Sequence, residues 1–482
     1  MAASSESADL ALLTGPDAGS MLATALPAWQ LISWAVHRVN HRPGAGVTVS
    51  YTVTVRARGE GGRPTGQARE KYVCASTAQL SQTFTPTLVR LTHRDTAVWV
   101  WEYPHDPELP ALPLAVTPSR MSAFLGEKVA VELKSYRPTR RAVVKVTTGG
   151  GGSAFAKVLR PPAAQSLAKR HRMLGQAGVL APRVVREDPN GLVLISTLPG
   201  EPLANWLARG LGEQSVALFD TLWNLQESLP AAAIHLTHRP AWADRVGHYA
   251  HAAAVALPGI AARAHAVASG VTEMMASLDP GPIVPVHGDF YEANIFVQHG
   301  PATVQRGPAV GAPAPTGPAV GAPAPTGPAV GAPALTGPAA GSPAAVASGR
   351  AALPPVPAGP APSPTGWSAG VIDVDSLGPG YRADDWACLL GHMSVLPHLA
   401  PAAYPHLRSI LGQWCALLEQ RLPAAPVYAR AAGVTLSLVA GAARTDGTRW
   451  EHDALGRLRE AEYWLSRARY LAGYGGNAYP RG

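Results

Sequence analysis

The sequence predicts an α+β protein whose strands lie mainly in the first half and whose later part is mainly helical. Two observations predict this class. Runs of alternating apolar and polar residues, such as Val47–Val55, are concentrated before residue 203. After that residue, apolar side chains recur at the 3.6-residue spacing of helices. The length of 482 residues predicts more than one domain.

The N-terminal part is expected to be a small α+β cap over residues 21–124, behind a disordered tail at 1–20. Apolar residues at helical spacing predict one helix over Ser20–Asn40, which the Pro43-Gly44 pair would end. Strands are predicted at Val47–Val55, Lys71–Ala75 and Thr96–Tyr103.

A second unit is expected over residues 125–202. The alternation of apolar residues predicts strands at Val129–Leu133, Arg141–Val146, Ala154–Leu159 and Leu192–Thr197, with a helix at Ala163–Gly178. The remaining chain is expected to be helical over about 203–229, 239–277, 384–396, 401–421, 425–444 and 450–474. It would form one domain in two parts, 203–298 and 368–482.

Charge and cysteine content narrow the function classes. The net charge is +8, but no run of five basic residues occurs, so we expect scattered surface arginines and no nucleic-acid partner. The three cysteines are far apart, which predicts neither disulfides nor a metal site and suits the cytoplasm. The apolar stretch Met21–Val36 contains Pro, Gln and Ser and is interpreted as a core helix, not as a membrane anchor.

One segment differs from the rest in composition. From Gly307 the decapeptide Gly-Pro-Ala-Val-Gly-Ala-Pro-Ala-Pro-Thr repeats at Gly317 and Gly327 and then decays. The repeat has no charged or aromatic residue, so it cannot bury enough surface to offset the entropy lost on ordering. We expect a disordered segment over about 299–367.

The most informative motif is His287-Gly288-Asp289, followed by Asn294 and an apolar strand. In phosphoryl transfer by kinases, an aspartate in such a loop accepts the hydroxyl proton, and an asparagine five residues later binds magnesium. Further on, the apolar run Gly370–Ile372 ends in Asp373, with Asp375 two residues later. A carboxylate at the end of a buried strand can bridge magnesium to nucleotide phosphates.

These motifs together resemble those of the aminoglycoside phosphotransferase and choline kinase superfamily. Its pattern is H-G-D-x-x-x-x-N, then I-D-[FWY]-x, then G-x-x-x-x-D-[LW]-A. The residues that match in order are His287-Gly288-Asp289 with Asn294, Ile372-Asp373-Val374-Asp375, and Gly380 with Asp385-Trp386-Ala387. Val374 replaces the usual aromatic residue.

The resemblance implies a two-lobed, protein-kinase-like fold that binds ATP and Mg²⁺. It implies that Asp289 is the catalytic base and that Asn294 and Asp373 hold the metal. His287, Asp375 and Asp385 would support the site. The helix and strands of the cap are similar in order to the cap of maltokinase-like enzymes.

In the family, a tight hairpin joins the asparagine and the aspartate of these motifs. In this sequence the corresponding residues, Asn294 and Asp373, are far apart. Without 299–367 the connection has an ordinary length, so we interpret the repeat as an insertion into the tip of this hairpin. Its strands would be Asn294–Val297 and Gly370–Val374.

The nucleotide-binding residues follow from the same resemblance. Lys157, in the strand Phe155–Leu159, resembles the lysine that contacts the α- and β-phosphates. Leu194–Leu203 resembles the hinge that holds adenine, with Thr197 and Leu198 as the ATP-binding residues.

Two features depart from the family. No glutamate lies between Pro161 and Arg186 to pair with Lys157; Gln165, His171 or Asp373 are the alternatives. The phosphate-covering turn, Ser135–Arg141, lacks glycine. It contains Arg137, Arg140 and Arg141, which either contact phosphate or are ordinary exposed arginines.

We therefore expect an ATP- and Mg²⁺-dependent phosphotransferase that acts on a hydroxyl of a sugar, amino sugar or aminoglycoside-like molecule. The alternative is a kinase-fold module that binds nucleotide or regulates without turnover. An acidic acceptor pocket would be one mark of a polycationic substrate. The candidates for it are Glu451, Asp453, Glu460 and Glu462, which equally fit a salt-bridged helix.

Overall fold

A computed structural model describes residues 2–41, 46–81, 85–93, 96–300, 366–444 and 449–473. The described chain forms two compact units. One consists of residues up to 168 together with 184–197, and the other of 169–183 with the described residues from 198 onward. The predicted repeat insertion, 299–367, lies outside the described residues, except for residues 299 and 300 at its start and 366 and 367 at its end.

The first unit begins with two helices and a five-stranded antiparallel sheet in the order β1-β2-β3-β5-β4. The elements are α1 (Ala2–Thr14), α2 (Asp17–Ala25), β1 (Trp29–His41), β2 (Val47–Arg58), β3 (Pro64–Ser76), β4 (Val89–His93) and β5 (Thr96–Glu102). Alternate residues of β2, from Val47 to Val55, pack with Leu13 and Leu22 into one apolar core.

Two predictions for this region differ from the structure. Helices α1 and α2 occupy the residues expected to form a disordered tail. The single helix predicted over Ser20–Asn40 is wrong, because α2 ends at Ala25 and Trp29–His41 is a strand. Two register shifts in β1, between Leu31 and Ser33 and between Val36 and Arg38, interrupt its alternation and give three-residue spacings that resemble a helix.

The same unit contains a second antiparallel sheet, in the order β6-β7-β8-β10-β9. Its elements are α3 (Leu112–Val116), α4 (Pro118–Leu125), β6 (Val129–Arg137), β7 (Arg141–Thr148), β8 (Ser153–Leu159), α5 (Pro161–Gln176), β9 (Val184–Asp188) and β10 (Leu192–Ser196). The helices α3 and α4 pack on one face of this sheet. On the other face, Ala164 and Ala168 of α5 contact Val193 and Ile195.

In its described residues, the second unit is mainly helical, with one three-stranded sheet (β11-β13-β14) and one two-stranded sheet (β12-β15). Its elements are β11 (Glu201–Pro202), α6 (Leu203–Arg209), α7 (Ser215–Glu227), α8 (Val246–Ala256), α9 (Ala261–Ser277), β12 (Ile283–Val286), β13 (Ile295–His299), β14 (Trp367–Val371), β15 (Gly378–Tyr381), α10 (Arg382–Leu399), α11 (Leu407–Glu419), α12 (Ala424–Val439) and α13 (Trp450–Leu471). The predicted α+β class is confirmed.

The structure groups both sheets of this part of the chain in one compact unit. It therefore gives no boundary between the cap and the following sheet, and the predicted boundary at residue 124 stays a prediction. The three cysteines are free, in line with the prediction of no disulfides, and all three are buried. Among the described helices, none is long and apolar enough to cross a membrane. The predicted cytoplasmic location is untested.

Candidate active site

The site is built around the loop between β12 and β13, which contains His287, Gly288 and Asp289. Gly288 has a φ of +79°. A Cβ atom there would lie 2.9 Å from the backbone oxygen of Ser376, so a side chain at this position would be both strained and crowded. Glycine is therefore what allows the loop to pass this close to the segment that follows β14.

Asp385, in the first turn of α10, fixes the loop backbone. Its Oδ2 accepts the amide hydrogen of His287 and its Oδ1 that of Gly288, each at 2.8 Å. The side chain has no exposed surface. Burial raises the pKa of Asp385 to about 7, while the two amide hydrogen bonds act in the opposite direction. The geometry fits the expected supporting role.

His287 is held on both sides of its ring. The amide of Asp289 donates to Nδ1 at 3.3 Å, and Nε2 lies 2.9 Å from the carbonyl oxygen of Ile372. This pairing requires the proton on Nε2, which is the neutral tautomer with Nδ1 as acceptor. His287 therefore links the loop to the end of β14 and has no ring nitrogen left for proton transfer.

Asp289 lies at the centre of the site. The indole Nε1 of Trp242 donates to Asp289 Oδ1 at 3.2 Å, and Asn294 Nδ2 donates to the Asp289 backbone oxygen at 3.0 Å. Burial raises the pKa of Asp289 to about 7, and the nearby carboxylate of Asp373 adds to the rise, whereas the Trp242 bond lowers it. A carboxylate with a pKa near neutrality is suited to exchange a proton at physiological pH.

The β13–β14 hairpin brings Asn294 and Asp373 to the same end. Ile295 pairs with Val371, and the amide of Ile372 donates to the backbone oxygen of Asn294 at 2.9 Å. Asp373 follows with a φ of +57°, a left-handed conformation that aspartate tolerates better than most residues. The hairpin is confirmed, although its strands are Ile295–His299 and Trp367–Val371, so the predicted second strand, Gly370–Val374, begins three residues too late and extends past the observed end.

The donor chemistry at this end of the hairpin fits Mg²⁺. Asn294 is almost fully buried and its Nδ2 is used within the loop, so its amide is oriented with Oδ1 as the remaining acceptor. An amide oxygen and a carboxylate are oxygen ligands of the kind that Mg²⁺ prefers. In the described part of the chain, no group of three or more His, Cys, Asp or Glu side chains is placed to hold a metal. Phosphate and water oxygens would therefore have to complete the coordination.

Asp375 lies in the short 3₁₀ turn Val374–Ser376, and its charge acts on a buried arginine. Arg170 donates from Nε to the backbone oxygen of Leu377 at 3.0 Å and is 4% exposed. Burial and the neighbouring Arg239 lower the pKa of Arg170, and Asp375 raises it. The supporting role of Asp375 at the site stays a prediction.

Sequence reasoning missed three groups beside Asp289. Trp242 lies 47 residues before it in the chain, and no spacing or motif indicates the contact. Tyr291 stacks on the fully buried ring of His392, with 4.4 Å between centroids. Glu292 is 2% exposed, and burial raises its pKa to about 8. Glu292 is part of the H-G-D-x-x-x-x-N motif, so its position was visible although its burial was not.

The other predicted site residues lie in both units. Lys157, on β8 and paired with Val193, belongs to the first unit together with Thr197, whereas Leu198 belongs to the second. Gln165 is exposed on α5, and His171 has its Nδ1 2.7 Å from the backbone oxygen of Pro182. The ATP-binding roles of Lys157, Thr197 and Leu198 stay predictions.

Comparison with known proteins supports this interpretation of the loop. The sequence model of the phosphotransferase enzyme family, APH, matches residues 139–304. The resemblance to this superfamily is confirmed. The two-lobed, kinase-like arrangement is what this family match implies, and it stays a prediction. What the match supports is a phosphotransferase that acts on a small molecule. No curated protein matches the sequence.

Several solved structures are similar to the chain at low sequence identity. A choline/ethanolamine kinase family protein from Mesorhizobium loti shares 13% identity at a TM-score of 0.40, covering 75% of this chain and 97% of its own. A putative fructosamine-3-kinase from Thermobifida fusca shares 17% identity at a TM-score of 0.35, covering 72% of this chain and 98% of its own. An aminoglycoside phosphotransferase from Streptomyces rimosus, in complex with ADP and streptomycin, shares 14% identity at a TM-score of 0.33, covering 61% of this chain and 90% of its own.

Proposed function

We propose that this protein transfers the γ-phosphate of ATP to a hydroxyl group of a small molecule in a Mg²⁺-dependent reaction. The observation that supports this most directly is the arrangement of Asp289, Asn294 and Asp373. A buried carboxylate with a pKa of about 7 lies beside an oriented amide and a second carboxylate. This is the set of groups that kinase-type phosphoryl transfer requires.

Asp289 is the proposed catalytic base. Trp242 donates to Oδ1 at 3.2 Å, whereas Oδ2 has only the longer contact of 3.5 Å from Asn294 Nδ2, so we assign Oδ2 to the acceptor hydroxyl. Oδ2 would take the proton as the hydroxyl oxygen attacks the γ-phosphorus and the bond from that phosphorus to ADP breaks. His287 and Asp385 hold the loop backbone and do not transfer protons themselves. Loop rigidity matters here because catalysis of phosphoryl transfer depends chiefly on positioning and electrostatics.

Asn294 and Asp373 are the proposed metal ligands. When bound, Mg²⁺ would neutralise charge on the β- and γ-phosphate oxygens. The left-handed backbone at Asp373 directs the chain into the turn Val374–Ser376 immediately after β14. The Asp373 carboxylate raises the pKa of Asp289, so a cation between the nucleotide and Asp373 would lower that pKa and favour the ionised base.

A sugar or amino sugar is the acceptor class that we favour. Two of the four carboxylates considered for a polycation pocket are paired within the protein. Glu462 accepts two hydrogen bonds from Arg263 at 2.7 and 2.8 Å, and Glu460 lies 3.0 Å from His398 Nε2. Beside Asp289 lies the half-buried ring of Trp242, and pockets for neutral ligands are commonly lined by aromatic residues with a few polar groups.

The test is a phosphotransfer screen over sugars, amino sugars, aminoglycosides and choline-like alcohols, with and without Mg²⁺. We expect Asp289→Asn to lose at least about a hundredfold in turnover while Mg-ATP binding is retained. Asp373→Asn should weaken Mg-ATP binding, measured by calorimetry, because a full charge is lost from the metal site. The exposed Asp279→Asn is the matched control and should behave as wild type. Wild-type turnover in Asp289→Asn would refute the proposed base.

The alternative, a nucleotide-binding module without turnover, gives a different result in the same screen. It predicts that Mg-ATP binds to the wild-type protein but that no acceptor is phosphorylated. The absence of a glutamate from the sequence between Pro161 and Arg186 favours this alternative. The raised pKa of Asp289 favours the enzyme, because a purely binding site has no need of a base that titrates near neutrality.

A further inference from the structure

Helix α12 is almost entirely buried, yet it contains one charged residue, Arg430. This arginine is 4% exposed. Its Nε donates to Oδ1 of Asp384 at 2.9 Å, and its Nη1 donates to the backbone oxygen of Pro426 at 3.3 Å. Replacing a buried ion pair by apolar residues of similar volume is often neutral or stabilising, because both charges lose their hydration on burial. Stability alone therefore does not explain this pair.

Asp384 connects the pair to the backbone on which the catalytic loop depends. It lies in the first turn of α10, and its Oδ2 accepts the amide hydrogen of Tyr381 at 3.0 Å. Tyr381 is the last residue of β15, whose partner strand β12 leads directly into the loop that contains Asp289. The Arg430 guanidinium also lies over the Tyr381 ring, 5.4 Å from its centroid. Arg430 thus contacts the start of α10 and the end of β15 together.

Asp385, the next residue of α10, connects this turn of the helix to the loop. Its carboxylate accepts the amide hydrogens of His287 and Gly288, each at 2.8 Å, and these two residues directly precede Asp289. Because Asp384 and Asp385 are consecutive in one helical turn, a shift of that turn would displace both carboxylates. The position of the loop backbone therefore depends on what holds the start of α10.

Helix α12 packs closely on two elements that support the loop. At Gly391 in α10, a Cβ atom would lie 3.0 Å from Cγ1 of Val434. At Gly433 in α12, a Cβ atom would lie 3.0 Å from Cβ of Ala243, the residue after Trp242. Packing as close as this leaves little room for a helix to move. We infer that α12 is a fixed base for α10 and for Trp242.

We propose that Arg430 is a positioning residue for the phosphotransfer reaction. Through Asp384 and Asp385 it holds the loop backbone in place, and the loop carries Asp289. This inference rests on the proposed function. A planar guanidinium has several donors in fixed geometry, which allows it to bind a carboxylate and a carbonyl oxygen at once. Phosphoryl transfer depends chiefly on positioning, so a small displacement of the base lowers turnover.

The experiment measures kinetics, Mg-ATP binding and amide hydrogen exchange of the full-length Arg430→Met variant, which keeps an apolar side chain and loses the donors. We expect kcat to fall about tenfold with the acceptor identified in the screen. The Kd for Mg-ATP should be unchanged, because Asn294 and Asp373 lie at the end of the β13–β14 hairpin and are not held by α10. Exchange should become faster in the segment 286–290, whose amides are bonded to α10.

A matched control separates this role from a general loss of stability. Arg457→Met alters another buried arginine of the same unit, which bonds the backbone oxygen of Leu438. It should change neither kcat nor exchange in the segment 286–290. If Arg430 were merely structural, Arg430→Met would lower the melting temperature and leave kcat of the folded protein unchanged.

Each outcome decides the proposal. An unchanged kcat in folded Arg430→Met would overturn it and leave the proposed function intact. If the wild type phosphorylates no acceptor, the proposed function fails and the positioning role with it. If Arg430→Met does not fold, the double variant Asp384→Asn/Arg430→Met removes both charges of the pair and leaves neither unpaired. That variant should show the same fall in kcat, and wild-type turnover in it would overturn the proposal.

Discussion

The pKa of Asp289 depends on the residues around it. An exposed aspartate is ionised at neutral pH and is a poor base, but burial and the charge of Asp373 raise the pKa of Asp289 to about 7. The Trp242 bond opposes this rise and fixes one oxygen. Among the described contacts of Asp289, the bond from Trp242 comes from outside the His287–Asn294 motif, so it can be altered without changing the motif.

Trp242→Phe should lower turnover and leave Mg-ATP affinity unchanged. Phenylalanine keeps most of the ring but has no N–H, so Asp289 Oδ1 loses its donor and the carboxylate is less well oriented. A neutral hydrogen bond contributes about 0.5–1.5 kcal/mol, which corresponds to a loss of roughly three- to tenfold in kcat. Steady-state kinetics and calorimetry measure the two effects. Trp223→Phe, a change of another half-buried tryptophan, is the control. Full turnover in Trp242→Phe would show that the contact is dispensable.

Glu292 predicts a pH dependence of stability. Its pKa is raised from 4.5 to about 8 by burial, so between these values the folded protein keeps a proton that the unfolded chain releases. The free energy of unfolding of the wild type should therefore fall as pH rises through this window. Glu292→Gln removes this contribution. We expect the variant to gain up to about 1.4 kcal/mol per pH unit relative to wild type between pH 5 and 8, and nothing at pH 4.

Urea unfolding at several pH values measures this difference. The exposed Glu213→Gln is the control and should show the same pH dependence as wild type. A parallel pH dependence in Glu292→Gln and wild type would mean that Glu292 is solvated or paired in solution.

At the level of elements, the spacing of apolar residues correctly predicted those strands and helices that depend mainly on local sequence. The strands β6, β7 and β8 and the helix α5 match the predicted segments because each has regular alternation or a continuous apolar face. The edge strand β1 was mistaken for a helix because its two register shifts change the spacing of apolar residues. Bulges depend on pairing with β2, and the sequence of β1 alone does not reveal that pairing.

The candidate site shows the same difference between features set by local sequence and features set by long-range contacts. Asp289, Asn294 and Asp373 were predicted because two short motifs contain them and one hairpin joins those motifs. Trp242 was not predicted, because its contact is long-range: it lies 47 residues before Asp289. Tertiary contacts of this kind leave no periodic signal. The burial of Glu292 depends likewise on packing by the whole second unit.

On the scale of the whole molecule, the order of the parts was predictable and their grouping was not. Strand-rich segments precede helical ones, as the pattern of apolar residues indicates. The structure nevertheless combines the predicted cap with the following sheet in one compact unit. One physical reason is a bond between the two sheets: Trp101 of β5 donates to the hydroxyl of Tyr136 in β6, and that hydroxyl donates to the buried Asp106.

The repeat should be dispensable to the molecule as a whole, and the hairpin geometry defines where it can be removed. The amide of Gly300 donates to the carbonyl oxygen of Gly366 at 2.9 Å, so the chain ends flanking 301–365 already lie side by side. Replacing 301–365 by Asn-Gly, which favours a two-residue hairpin turn, should keep thermal stability and any phosphotransfer activity close to wild type. Differential scanning calorimetry and the acceptor screen measure the two separately.

A longer deletion, of 299–367, is the matched control for this prediction. It removes Trp367, which is 1% exposed and contacts the ring of Trp206 with 4.7 Å between centroids, and it also removes His299, whose ring packs on Trp367. Loss of a buried tryptophan costs about 3–5 kcal/mol, so this variant should melt well below wild type while the shorter deletion should not. Equal destabilisation by both deletions would mean that residues 301–365 themselves stabilise the fold. A shorter-deletion variant that is as stable as wild type but inactive would instead show that the repeat acts at the active site.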